Sequence, residues 1–415
     1  MSYYPLPILP FDPNLHRWID VRYCSQDLAV PVINKTLCSY LSSVKSGIDS
    51  HQQEWDKYKK YTNPYEYIHT VVPGLKQSVC RAKPLSRSFF KMIETCRVMR
   101  LLDGLSPKIR SFHLAEGPGG FIEALAVLRN NKDDVYQGIT LVDDANTSVP
   151  GWKKSKAFLE RTPNVVVEAG VSGTGDLMLP ENLRDFYERH HGTCDIVTGD
   201  GGFDFTTDFD HQEAVSAKLI LSQIAFAAAC QAKGGSFVLK MFDTFTSSSV
   251  DLLCLLAMMY DSVQIFKPHS SRVANSEKYI VCKGFRLTNT RKLVITLFHA
   301  MQRFGTGECV EGVLAYKPSC AFVTKLEECN AILGQQQIEC ITQTLALIGS
   351  GNLDRLEALK RSHVQKCASW CQKHKLPFNR ISSSHNPFGS RANTFIRERA
   401  ASVDEASAEL REETT

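Results

Sequence analysis

Two lysines and two carboxylates stand in contexts that suggest proton handling or charge stabilisation. Thr198-Gly-Asp-Gly-Gly-Phe203 sets Asp200 just past an expected strand, among glycines that leave its carboxylate accessible. Phe237-Val-Leu-Lys-Met-Phe242 places Lys240 inside an apolar strand, where an unpaired ammonium carries a large desolvation cost and so requires a partner. Ser270-Ser-Arg-Val-Ala-Asn-Ser-Glu-Lys-Tyr279 brings Glu277 to the start of another strand, and Lys91 lies on an earlier helix. Any one of these residues alone reads more readily as a structural ion; the set of four, drawn from four places, points to a site.

A second feature is a ligand turn. Phe112-His-Leu-Ala-Glu-Gly-Pro-Gly-Gly-Phe121 reads as a strand, a glycine-rich turn and a helix start, the arrangement at which α/β proteins bring a nucleotide against the backbone. The dinucleotide pattern G-x-G-x-x-G fails, because Ile122 stands where its last glycine should be, and this argues against a dehydrogenase. No G-x-x-x-x-G-K-[ST] phosphate loop occurs, which argues against a P-loop kinase or ATPase. Gly173-Thr-Gly-Asp176 follows a strand, where Asp176 is suited to accept a hydrogen bond from an adenine amino group. Asp143, expected at another strand end, is suited to ribose hydroxyls, although a solvated turn residue fits it equally.

The elements that must position these residues alternate in type. Strands are expected over 111–114, 137–142, 164–168, 195–198, 236–241, 262–266 and 278–283, with an amphipathic helix over 87–102 and a longer one over 211–232 stopped by Gly234 and Gly235. This is an α/β pattern with a parallel sheet. Residues 1–84 read as a mostly helical extension containing Tyr58, Tyr61 and Tyr65 as possible stacking residues, and 85–290 as the catalytic domain. Residues 291–380 read as a C-terminal helical region and 381–415 as a flexible tail.

With 415 residues, 43% of them hydrophobic, the chain can bury a substantial core. Its net charge of +4 permits a nucleic-acid partner without indicating one. The apolar run 252–260 falls short of the roughly 20 residues that span a bilayer, and no secretory leader is visible, so an intracellular protein without a membrane association is expected. The fourteen cysteines are scattered and contain no C-x-x-C pair; they are expected to be reduced thiols. Cys367, Cys371, His363 and His374 offer metal-binding residue types, but no metal is expected.

Taken together, Glu116-Gly-Pro-Gly-Gly120, Asp200-Gly-Gly-Phe203, Leu239-Lys-Met-Phe-Asp243 and the string from Lys267 to Gly284 resemble the FtsJ-like ribose 2′-O-methyltransferases over roughly Leu85 to Arg286. Within that family the chain is most similar to the cap-specific messenger RNA enzymes of eukaryotes and large DNA viruses. The resemblance implies a Rossmann-like class I methyltransferase sheet with helical N- and C-terminal extensions. It also implies a Lys91-Asp200-Lys240-Glu277 catalytic tetrad, and S-adenosylmethionine held by Glu116, Gly117, Pro118, Gly119, Gly120, Phe121, Asp143, Asp176 and Asp200. The substrate it implies is the capped 5′ end of mRNA, with other capping enzymes as further partners. The compartment would be the nucleus for a cellular enzyme and the cytoplasm for one from a cytoplasmic virus. Ribosomal or transfer RNA methylation and an inactive RNA-binding subunit are the alternatives.

Overall fold

The computed structural model describes residues 2–25, 29–143, 149–202 and 212–381. Strand β1 (Ser2–Pro5) is followed by β2 (Ile19–Ser25), α1 (Lys35–Ser46), α2 (Gln52–Thr62) and α3 (Ser88–Val98). The central part runs β3 (Arg110–Leu114), α4 (Gly120–Arg129), β4 (Val135–Ile139), α5 (Lys156–Arg161), β5 (Val165–Glu168), α6 (Pro180–His190), β6 (Cys194–Gly199) and α7 (Gln212–Cys230). It continues through β7 (Gln231–Met241), α8 (Ser247–Met259), β8 (Tyr260–Lys267), β9 (Lys278–Phe285) and α9 (Arg291–Met301). Strand β10 (Glu308–Leu314) and two long helices, α10 (Cys320–Ser350) and α11 (Leu353–Lys373), complete the described elements. Met1–Phe378 form one compact unit. The tail expected from residue 381 lies outside the described residues from 382 onward, as do Phe203 and His211.

Eight strands form one sheet in the order β1-β8-β9-β7-β6-β3-β4-β5. Strands β5, β4, β3, β6 and β7 are mutually parallel, whereas β9 is antiparallel to both β7 and β8. The chain leaves β3 toward β4 and β5 on one side and returns through β6 and β7 on the other. The order therefore reverses between β3 and β6, and a crevice opens there at the carboxyl ends of the strands. This is a Rossmann-like α/β sheet, with the glycine turn after β3 and Asp200 after β6 on the two lips of the crevice.

Burial explains the strand spacing. Phe112 and Leu114 of β3 are fully buried, and so is His113, whose ring bonds Ser111 Oγ at 2.9 Å and Thr198 Oγ1 at 2.8 Å. Burial pushes the His113 imidazole down to about 3, which keeps it neutral within the sheet. Helix α7 is buried nearly all round. It is 19 residues long and apolar enough to cross a bilayer, yet 89% of its apolar window lies inside the protein. A search for unbroken apolar runs passes over it, because Lys218, Gln223 and small residues interrupt the run.

Several boundaries differ from expectation. Strand β4 ends at Ile139, before the expected 142, because Val142 N instead bonds Thr174 O at 2.8 Å in a loop. Asp143 therefore sits beyond the strand rather than at its end. Helix α7 passes directly into β7 at Gln231, so Gly234 and Gly235 lie in the strand and do not terminate the helix. The region after Phe285 is not wholly helical: β10 pairs antiparallel with β2 as a separate two-stranded sheet. Strand β1 extends the main sheet by pairing with β8. Both pairings join segments more than 250 residues apart, which local periodicity does not encode.

Candidate active site

Four elements bring the two lysines and two carboxylates to one edge of the crevice as two ion pairs. Lys91, on α3 and 7% exposed, places Nζ 2.7 Å from both carboxylate oxygens of Glu277. Glu277 Oε1 also accepts from Ser271 Oγ at 2.7 Å, and its carbonyl accepts from Lys267 Nζ at 2.6 Å. On β7, Lys240 Nζ donates to the Asp200 carbonyl at 2.6 Å and stands 3.3 Å from Asp200 Oδ1.

Tyr279 joins the two pairs. It lies opposite Lys240 in the β7–β9 register, and its hydroxyl donates to Asp200 Oδ1 at 3.0 Å. The Lys91 ammonium lies 5.9 Å from the centre of its ring, and Phe121 of the glycine turn packs 5.8 Å away. Sequence reasoning gave Tyr279 no role, because a tyrosine in a strand reads as core; only the cross-strand register to Lys240 gives it one. Tyr279→Phe removes one hydrogen bond from the carboxylate that holds Lys240. We expect a stability loss of about 0.5–1.5 kcal/mol and a several-fold fall in turnover with KM unchanged. Denaturant titration and steady-state kinetics measure the two effects separately.

The charges around the tetrad are unequal. Burial works to raise the Glu277 pKa, but Lys91, Lys240 and Lys267 outweigh it and hold the carboxyl well below the usual range. Burial lowers the Lys91 pKa, and Arg87 and Lys240 add to that, against Glu277 and Asp200. The surroundings of this one ion pair thus favour the charged carboxylate and disfavour the charged ammonium. The asymmetry has a plain source: Glu277 faces three lysines, whereas Lys91 shares its two carboxylates with a further lysine and an arginine. The site therefore has more cationic than anionic groups and is suited to an anionic substrate. The Tyr279 phenol is pushed far up by burial and by the neighbouring Asp200, so it remains a donor.

The glycine turn is built around Glu116. Its Oε1 accepts from Phe121 N at 2.6 Å and Ile122 N at 3.2 Å, capping the start of α4. Its Oε2 is buried with no hydrogen-bond partner among the described residues. Burial, then Asp200, raises its pKa well above the normal carboxyl value. Gly119 adopts φ +107°, and a Cβ on Gly117 would lie 2.6 Å from Gly151 O and 3.0 Å from Thr140 Oγ1. A Cβ on Gly175 would collide with Thr140 O, so the turn 116–121 and the loop 173–176 meet at Thr140. Pro118 is fixed through its carbonyl, which accepts from Ser155 Oγ at 2.5 Å. A Cβ on Gly120 would collide with Ser86 and Ser88 just ahead of and within the first turn of α3, which seats the turn against the helix carrying Lys91.

Asp176 is half-buried, and its Oδ1 accepts from Met178 N at 2.8 Å. The Asp143 carbonyl accepts from Lys153 Nζ at 3.2 Å, and residues 144–148 beside it lie outside the described residues. Thr140 and Trp152, the latter within 3.5 Å of a Cβ on Gly119, were not legible in the sequence, since neither belongs to a spaced motif. Among the described residues no three metal-ligating side chains gather. His363, Cys367 and Cys371 are buried along α11.

Comparison with known proteins adds a family. Residues 84–285 match the FtsJ-like methyltransferase family. A curated relative from Danio rerio, cap-specific mRNA (nucleoside-2′-O-)-methyltransferase 2, is 32% identical over 300 residues, covering 66% of this chain and 37% of the relative. The Mus musculus protein of the same name is 28% identical over 343 residues, covering 78% and 43%. Cap-specific mRNA (nucleoside-2′-O-)-methyltransferase 1 of Dictyostelium discoideum is 33% identical over 249 residues, covering 55% and 31%. The chain spans less than half the length of these relatives.

Proposed function

We propose that the chain, whose residues 84–285 match the FtsJ-like methyltransferase family, methylates a ribose 2′-hydroxyl beside the 5′ cap of messenger RNA, with S-adenosylmethionine as donor. The observation that carries this reading is the approach to Lys240. Its ammonium is fixed by Asp200, and Gly202 stands against it, where a Cβ would lie 3.1 Å from Nζ. The missing side chain leaves room for a substrate hydroxyl at Lys240.

The residues of the glycine turn fit the donor. Glu116 Oε2 is a buried oxygen without a partner among the described residues, and a hydrogen-bonding or cationic group of the ligand would complete it. The turn 116–121 and Asp176 would hold the donor across the crevice, with Asp143 beyond β4 as a further candidate contact. When bound, S-adenosylmethionine supplies an electrophilic methyl group on a sulfonium whose departure as a neutral thioether needs no protonation.

In the displacement the 2′-oxygen bonds the methyl carbon, the carbon–sulfur bond breaks with its electron pair going to sulfur, and the hydroxyl loses its proton. Lys240 Nζ aligns the hydroxyl and, in its neutral amine form, receives that proton to become the ammonium. Asp200 positions Lys240 through two oxygens. Lys91, held by Glu277, supplies positive charge for the ribose or the phosphate beside it.

The test is transfer of labelled methyl from S-adenosylmethionine to capped and uncapped short RNA, followed by nuclease digestion. The expected product is a cap-containing fragment with a 2′-O-methyl ribose. Label confined to uncapped RNA would move the substrate to ribosomal or transfer RNA. Binding of donor and RNA without transfer would indicate an inactive subunit.

A further inference from the structure

Beside the tetrad lies a solvent-open cleft that the proposed chemistry leaves unused. Its walls come from the segment after α2, the loop between β8 and β9, and α10. Two planar rings line it: Tyr65 and His269 lie face to face, with centroids 4.8 Å apart and planes 10° from parallel. Both rings are half-buried, and burial lowers the His269 pKa, favouring the neutral imidazole.

The same cleft is lined by Lys278, which is 4% exposed. No hydrogen bond or ion pair to its ammonium exists among the described residues. The carboxylates whose charge acts on it are engaged elsewhere. Asp243 Oδ2 takes Lys45 Nζ at 3.0 Å, and Glu213 Oε1 takes Phe245 N, Thr246 N and Thr246 Oγ1 at 2.7–2.8 Å. Burial lowers the Lys278 pKa against the charges of Asp243 and Glu213, neither of which hydrogen-bonds the ammonium among the described residues, and an arriving anion would offset that desolvation at the cleft.

The cleft and the tetrad share a wall. Lys267 also lines the cleft, and its Nζ donates to Asn275 O at 2.6 Å, Asn275 Oδ1 at 2.8 Å and Glu277 O at 2.6 Å. Consecutive residues at a strand point to opposite faces, so Glu277 serves the tetrad while Lys278 serves the cleft.

We propose that this cleft seats a nucleotide of the substrate RNA strand next to the one being methylated, its base on the Tyr65–His269 platform and its phosphate against Lys278. The outer face of a stacked ring pair takes any base by stacking, and an ammonium takes a phosphate. The inference rests on the RNA methyltransferase reading for the source of the nucleotide.

The experiment is equilibrium binding of a labelled capped RNA to the full chain saturated with S-adenosylhomocysteine, over a series of potassium chloride concentrations. Lys278→Met is expected to weaken binding roughly tenfold and to reduce the steepness of log K against log salt by about 0.7, the signature of one lost single-strand phosphate contact. Lys278→Arg is expected to keep the slope. Tyr65→Ala is expected to weaken binding by roughly tenfold with the slope unchanged. The melting temperature of Lys278→Met should equal or exceed that of the parent, because a desolvated charge has been removed.

Lys278→Met with unaltered affinity and slope overturns the proposal, and so does weaker binding accompanied by a lowered melting temperature and an unaltered slope. Free guanosine 5′-monophosphate binding as tightly as the RNA would overturn the strand as occupant. If the parent methylates RNA and Lys278→Met keeps its slope, the cleft assignment fails alone. If the parent binds RNA through Lys278 but transfers no methyl, the methyltransferase reading fails alone.

Discussion

Lys240→Ala is expected to lower kcat by roughly 10²- to 10⁴-fold, the range that a positioned acid–base group contributes, while leaving the affinities for S-adenosylmethionine and RNA within a few-fold of the parent. Lys240 contacts Asp200 and lies against Gly202 at the crevice, whereas the residues proposed to hold the donor belong to the Glu116 turn and the loop 173–176. Losing the ammonium also removes a cation from beside Asp200, but Asp200 keeps the Tyr279 hydroxyl at 3.0 Å and its own amide bond to Leu114 O. The fold should therefore survive. Single-turnover kinetics with saturating donor and RNA isolates the chemical step, and near-parental single-turnover rates would remove Lys240 from the mechanism.

Glu277→Ala carries the largest expected effect on stability, about 3–5 kcal/mol, because it leaves Lys91 buried without its counter-ion. Lys91 is 7% exposed, and its remaining charged neighbours include Arg87 and Lys240, which repel it. The double substitution Lys91→Met with Glu277→Leu removes both charges and should recover most of that loss, yet remain inactive. Urea titration compared across the parent, the single and the double variant separates the packing of this edge from its electrostatics. A single variant as stable as the parent would mean that the pair is solvated in solution.

The sign of the pH dependence follows from the direction of the shift. Glu277 has a folded pKa below its unfolded value, so its contribution is fully present above about pH 4.3 and is lost as the pH falls through the folded value. The parent should lose stability on acidification below about pH 4 more steeply than Glu277→Ala. Lys91 has a folded pKa lowered from its normal value, so the unfolded state binds more protons in the window below about 10.4. Stability from this group therefore rises with pH there, and the rise should be larger in Glu277→Ala, where of its two opposing carboxylates only Asp200 remains.

Alternation of apolar strands with helices, together with the residues that follow strand ends, was enough to place Asp200 after β6, Lys240 within β7 and Glu277 at the start of β9. The glycine turn after β3 was legible for the same reason: turn chemistry and strand period are local properties of the chain. Lys91 was placed on the correct helix, although α3 is shorter than its apolar pattern suggested. Boundaries failed where a loop competed with a strand, as at Val142, or where a helix passed directly into a strand, as at Cys230.

What the amino-acid order determined by itself is therefore the set of chemical groups and the element that carries each. Tertiary structure decided their pairing. Lys91 meets Glu277 across 186 positions of sequence separation, and Lys240 meets Asp200 across 40. Tyr279 links the pairs through strand register, β1 extends the sheet from the chain's far end, and Lys278 turns away from the site that its neighbour completes. Each of these depends on which strands lie side by side and on which face each residue is buried. Sheet order and register are set by burial of the whole core, so no local window of the sequence contains them.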